Sequence, residues 1–139
     1  MASSREREVH ELLQGLVAWC SHRADVLAIA LVGSWARGQA SCGSDVDVVL
    51  LTTDPASYLT TDDWAIAVGA KVVGTRQWGV LTERRLLTAT GVEVDFGVVH
   101  PSWAATAPVD EGTAEVARDG LIPVYDPDAV LQRLKHAVG

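Results

Sequence analysis

Leu31-Val32-Gly33-Ser34-Trp35-Ala36-Arg37-Gly38, followed after a polar turn by Ser44-Asp45-Val46-Asp47-Val48-Val49-Leu50-Leu51, is the stretch that decides the fold. An apolar run over Val26 to Val32 stops at Gly33-Ser34, and a second run, Val46 to Leu51, carries Asp45 and Asp47 at its start. If both runs are strands, side-chain alternation puts Asp45 and Asp47 on one face, roughly 7 Å apart along the chain. Two carboxylates so close at the edge of an apolar sheet repel each other and lose hydration, so a positive partner is expected between them. A divalent metal suits them, since Mg²⁺ takes one or two carboxylates and completes its shell with water and phosphate oxygens.

Gly33 lets the backbone turn sharply and approach a ligand, and Ser34 is expected to cap a short helix from Trp35 to about Gln39. The N–H groups at that helix start, the Ser34 hydroxyl and Arg37 form a receptor for phosphate oxygens. The small-residue loop 40–44 then sets Asp45 in place, and its last residue, Ser44, joins the candidate nucleotide contacts. Phosphate receptor and carboxylate pair together suggest nucleotide chemistry.

The wider composition narrows the classes. A chain of 139 residues is expected to be one domain, and 48% apolar residues suffice for a core. With a formal charge of −7 and no Lys/Arg stripe, a sequence-independent grip on long nucleic acid is not expected. Cys20 and Cys42 lie in no metal-ligand spacing, and Cys42 reads as an ordinary small loop residue. The N-terminus lacks the apolar core of a signal peptide and no run reaches membrane-span length, so a cytoplasmic protein with no membrane partner is expected.

In chain order, Ser4 to about Cys20 reads as an amphipathic helix with Ser3 or Ser4 as its cap. Asp25 to Val32 and Val46 to Thr52 read as strands, Thr53 to Thr60 as a loop, and Thr61-Asp62-Asp63-Trp64 as the opening of a short helix to about Val68. Residues 71–85 read as two short strands separated by Gly74 and Gly79; Arg76, Arg84 and Arg85 are the cations expected to face a triphosphate. Val92 to Val99 is a strong strand, with Glu93, Asp95 and Gly97 on one face. His100 ends it as a spacer or a base. A helical piece around 113–118, an edge strand 121–125 bearing Pro123, and a last helix begun by Asp126-Pro127 complete the chain.

Gly33-Ser34, a short helix, Asp45-x-Asp47 opening an apolar strand, and a later acidic strand resemble the polymerase-β-like nucleotidyltransferase superfamily, over a core of residues 26–99. Its small members, the minimal nucleotidyltransferases and the nucleotidyltransferase domains of aminoglycoside and lincosamide resistance enzymes, are the most similar. The resemblance implies an α/β (α+β) nucleotidyltransferase fold, a mixed central sheet flanked by helices. It implies Asp95 as third acid, with Glu93 its near rival. Asp45, Asp47 and Asp95 would then hold two Mg²⁺ ions roughly 4 Å apart. Gly33, Ser34, Arg37 and Ser44 would hold an NTP, expected to be ATP. The implied reaction moves a nucleoside monophosphate to a hydroxyl of a small molecule or protein and releases pyrophosphate. Larger members carry a second, acceptor-holding domain, so a homodimer or partner protein is expected to supply one. An antitoxin acting on a paired toxin and a catalytically inactive nucleotide-binding module are the alternatives.

Overall fold

Helix α1 (Ser4–Cys20) opens with a capping box: the Ser3 hydroxyl accepts from the Glu6 N–H at 3.1 Å, and the Glu6 carboxylate accepts from the Ser3 N–H at 3.4 Å. The structure, a computed structural model, describes residues 3–139 apart from 42, 79 and 80, so the readings made of Cys42, Gly79 and Val80 lie outside it. Six strands, β1 (Val26–Val32), β2 (Val46–Thr52), β3 (Ala70–Trp78), β4 (Leu81–Thr88), β5 (Glu93–Val99) and β6 (Leu121–Tyr125), form one sheet in the order β3-β4-β5-β2-β1-β6. Strands β2 and β5 run parallel, while the other neighbouring pairs are antiparallel. The sheet is therefore mixed, as expected.

Alternation sorts each central strand between two cores. On one face Val46, Val48 and Leu50 of β2 and Val94, Phe96 and Val98 of β5 pack with Val9, Leu16 and Cys20 of α1. Short helices α3 (Pro55–Leu59) and α4 (Asp63–Ala67) add Tyr58 and Trp64 to that layer. On the other face Val49 and Leu51 of β2, Ala28 and Ala30 of β1 and Val99 of β5 meet Ala117 of α5 (Glu111–Asp119) and Leu131 and Leu134 of α6 (Val130–Val138). Asp47 lies on this second face, two residues before Val49, at the opening of β2. Among the described residues no helix is long and apolar enough to cross a membrane.

Three segments depart from the sequence reading. Residues 53–60, expected as loop, hold α3, because Pro55 occupies its first turn, where a missing N–H costs nothing. The pair expected within 71–85 is longer than two short strands, β3 running Ala70–Trp78 and β4 Leu81–Thr88. The last helix begins at Val130 rather than at Pro127, with Ala129 in a left-handed turn (φ 57°). Asp126 still serves the helix, its carboxylate accepting from the N–H groups of Leu131 (3.2 Å) and Gln132 (3.0 Å). The expected helical piece at 113–118 extends over Glu111–Asp119 and is capped by Asp110, which accepts from the Thr113 N–H at 3.1 Å.

Arg84 is not a phosphate-facing cation. Its side chain lies on the α1 side of the sheet, 4% exposed, donating from Nη1 to the Tyr58 carbonyl (2.6 Å) and the Thr61 carbonyl (3.2 Å) and pairing through Nη2 with Asp62. It stitches α3 and α4 onto the sheet. The aromatic cluster of Trp19, Tyr58, Trp64 and Phe96 fills the space beside it, with ring centroids 5.2 to 6.0 Å apart. Arg84→Leu keeps the bulk but removes charge-assisted donors, and is expected to lower unfolding free energy by about 1–3 kcal/mol. Urea denaturation measures it, while the ligand affinities of the folded fraction should stay at wild-type values.

Candidate active site

The parallel register of β2 and β5 sets Asp47 directly beside Asp95. Strand β4 lies on the far side of β5, its Arg85 opposite Asp95 and its Glu83 opposite Gly97. Because side chains alternate, Glu83 and Arg85 rise on the face of Asp47 and Asp95 while Arg84 between them drops to the other. One oxygen from each of Asp47, Glu83 and Asp95 falls within 4.8 Å of the others. The three acids edge a cavity of about 280 Å³ whose walls include Gly33, Arg37, Leu81, Trp103 and Val116.

The expected trio of Asp45, Asp47 and Asp95 is thus brought to one place, but divided. Asp45 stands outside the cluster of Asp47, Glu83 and Asp95. Its Oδ2 accepts from Arg85 Nη2 at 2.7 Å. The same guanidinium grips Asp95 from the side, Nε to Oδ1 at 2.7 Å and Nη2 to Oδ2 at 2.8 Å, and reaches Glu93 Oε2 through Nη1 at 2.8 Å. Asp95 is 6% exposed, so these are strong bonds in a partly dry setting. They push the Arg85 pKa further up, the hydrogen bonds donated to Asp95 first, against burial, with the charges of Asp95, Asp45 and Glu93 adding to them.

Asp47 has the opposite problem. Burial first, then the neighbouring charges of Asp95, Glu83 and Asp45, raise its pKa from 3.8 to about 6, with Arg85 offsetting only part. An oxygen-rich, electron-dense cluster of this kind matches the donor set of a hard divalent cation, which would relieve the repulsion. Asp47, Glu83 and Asp95 therefore fit such an ion.

Gly33 is essential to the packing here. It has φ +72°, and a Cβ at this position would lie 2.5 Å from Asp47 Oδ2. Gly33→Ala is expected to cost about 1–2 kcal/mol for the left-handed backbone and to displace the Asp47 carboxylate. A drop of at least about tenfold in Mn²⁺ affinity, larger than the stability loss explains, is the calorimetric signature.

The remaining candidates are placed as follows. Short helix α2 spans Gly33–Ala36, with Val32 rather than Ser34 in the capping position, so Ser34 lies inside the first turn instead of capping it. Arg37 closes α2, lines the cavity beside Asp47, and donates from Nε to Gln39 Oε1 at 3.2 Å. Ser44 works within its own loop: its hydroxyl accepts from the Ser41 N–H at 2.9 Å and its carbonyl from Trp35 Nε1 at 3.3 Å. Arg76 lies on exposed β3, next to a smaller cavity edged by Glu83, Arg85 and Asp95. His100 caps the following 3₁₀ turn (Pro101–Ala104), its Nδ1 accepting from the Ser102 N–H at 3.1 Å. Glu83 was missed by the sequence reading. Its alternation with Arg85 was available, but its pairing with β5 was not.

Residues 14–89 match the nucleotidyltransferase domain family, a span that includes Gly33, Asp45, Asp47, Glu83 and Arg85 and stops short of Asp95. No curated protein is significantly similar in sequence. Solved structures of similar fold include Cid1 in complex with the UTP analogue UMPNPP (TM-score 0.54, 19% identity, over 70% of this chain and 31% of that one). A cytoplasmic RNA terminal U-transferase is comparable (TM-score 0.53, 23% identity, over 69% of this chain and 30% of that one). This chain spans less than a third of the length of either, and the likeness is one of fold. With the family match covering more than half of its residues, the chain belongs to the nucleotidyltransferase domain family.

Proposed function

We propose that this domain transfers a nucleoside monophosphate from an NTP, with ATP the expected donor, to an acceptor hydroxyl, releasing pyrophosphate in the cytoplasm. The observation that carries the reading is the in-register meeting of Asp47 and Asp95 across β2 and β5, with Glu83 beside them and Gly33 against Asp47. A divalent ion, Mg²⁺ by its taste for carboxylate and phosphate oxygens, would be held by Asp47, Glu83 and Asp95; when bound it supplies charge neutralisation at the phosphates and a more acidic acceptor hydroxyl.

The chain's own residues supply the rest. Backbone N–H groups at the start of α2, the Ser34 hydroxyl and Arg37 hold the β- and γ-phosphates, with Ser44 keeping the loop before Asp45 in shape. Leu81, Trp103 and Val116 give the cavity an apolar wall beside the acids. Catalysis of this kind is mainly positioning and electrostatics. The acceptor is a small molecule or a protein, held with the help of a second copy or a partner polypeptide.

The test is incubation with α-phosphate-labelled NTPs, Mg²⁺ and either antibiotic acceptors or cell extract. Label should move to an acceptor, and EDTA should abolish the transfer. Nucleotide binding that is Mg²⁺-dependent but never followed by transfer to any acceptor would instead identify an inactive module. The absence of both would end the enzymatic reading.

A further inference from the structure

We propose that the Arg85 guanidinium stands in for a second metal ion, tying Asp45 to Asp95 and leaving Asp47, Glu83 and Asp95 to hold a single divalent cation. The inference rests on the metal-binding reading above and refines it, since the resemblance implies two ions. All three guanidinium nitrogens are committed to carboxylates at 2.7 to 2.8 Å: Nε to Asp95, Nη1 to Glu93, and Nη2 to both Asp95 and Asp45. An ion bridging Asp45 and Asp95 would have to occupy the space of Nη2, which already joins those two carboxylates. It would also have to break a side-on fork, the strongest form of Arg–carboxylate contact.

Arg85 cannot yield by losing its proton, because a guanidinium stays charged at any physiological pH. Its Cα sits in the β4–β5 ladder opposite Asp95, which keeps the guanidinium within reach of these carboxylates. The contacts of Arg85 fall on Asp45, Glu93 and Asp95, whereas the three-oxygen cluster consists of Asp47, Glu83 and Asp95. Asp95 is the shared member, each oxygen having a second lone pair to offer. The three-oxygen cluster and the contacts of Arg85 thus share Asp95 and otherwise draw on different carboxylates.

Stoichiometry decides the matter without any turnover. Mn²⁺ is titrated into the intact protein, without nucleotide, and followed by calorimetry and by electron paramagnetic resonance of free Mn²⁺. The wild type should bind one ion per chain. Arg85→Gln should bind two, and the double variant Arg85→Gln/Asp45→Asn should return to one. A second arm needs no change at Arg85: Asp45→Asn should leave Mn²⁺ affinity within about threefold of wild type, while Asp47→Asn should weaken it by about 10- to 100-fold. Two ions in the wild type, one in folded Arg85→Gln, or equal losses in Asp45→Asn and Asp47→Asn would each overturn the proposal while sparing the metal-binding reading. No Mn²⁺ in the wild type would overturn both.

Discussion

Asp47→Asn is expected to lower nucleotidyl transfer by about a thousandfold, some 4 kcal/mol of transition-state stabilisation, and at the same time to raise the melting temperature of the metal-free protein at pH 8. The two effects share one origin. Asp47 is held where burial and three neighbouring acids oppose its charge, with a pKa of about 6 against an ordinary 3.8. A group with a raised folded-state pKa contributes stability that is complete below the unfolded value and is lost as pH rises through the folded one. Metal-free wild type therefore loses stability from this group between about pH 4 and pH 6, whereas asparagine, which never ionises, loses none. Partial exposure and screening reduce the gain to about 1–2 kcal/mol, roughly 4–8 °C in Tm at pH 8. The difference between variant and wild type should close towards pH 4. Differential scanning calorimetry from pH 4 to pH 8 in EDTA measures it, and labelled transfer in Mg²⁺ measures the activity. Activity within tenfold of wild type would remove Asp47 from the chemistry. A variant less stable at pH 8 would mean that its charge is compensated by protein alone.

That a residue can be worth more to function than to folding is also why the site was partly legible in the chain. The apolar runs at 26–32 and 46–51 declare strands through their length and composition, and alternation alone places Asp47 on the face opposite Val46, Val48 and Leu50. In Val92 to Val99 alternation puts Glu93 and Asp95 on one face and leaves both open, and it is the resemblance that points to Asp95. What alternation does not carry is which strands are neighbours. The parallel pairing of β2 with β5 requires the intervening chain to fold back through α3, α4 and the β3–β4 pair, and this decides that Asp47, not Asp45, meets Asp95.

The same gap explains the arginines. Arg84 and Arg85 are adjacent, so one must face the aromatic core and the other the acids. The side each takes depends on the register of β4 against β5, a pairing set by contacts distant in sequence. Helix α3 was missed for a related reason. Helix α3 has too few residues to show a period, and it is held by Arg84 and by the Tyr58 hydroxyl, which donates to Asp25 at 2.6 Å, rather than by its own propensity.

Asp95→Asn, the same isosteric change made one strand away, is expected to move stability in the opposite direction. Both Asp95 oxygens accept from Arg85, at 2.7 and 2.8 Å, on a residue 6% exposed. An amide can replace only one acceptor, and its NH₂ would meet a guanidinium nitrogen, donor against donor. Arg85 keeps Asp45 and Glu93 and its side chain is 35% exposed, so solvent absorbs part of the penalty. The expected loss is about 1–3 kcal/mol rather than the larger figure for a fully buried broken pair. Transfer should fall by about a thousandfold here too, since Asp95 belongs to the metal-facing cluster. Charge neutralisation as such cannot yield opposite signs at two carboxylates that adjoin in one sheet. Only the partners differ: the charges around Asp47 are chiefly those of other acids, whereas at Asp95 both carboxylate oxygens accept from Arg85. Parallel thermal melts of the two variants at pH 8 in EDTA would read the sign directly, and equal shifts would show that Arg85 does not stabilise Asp95 in solution.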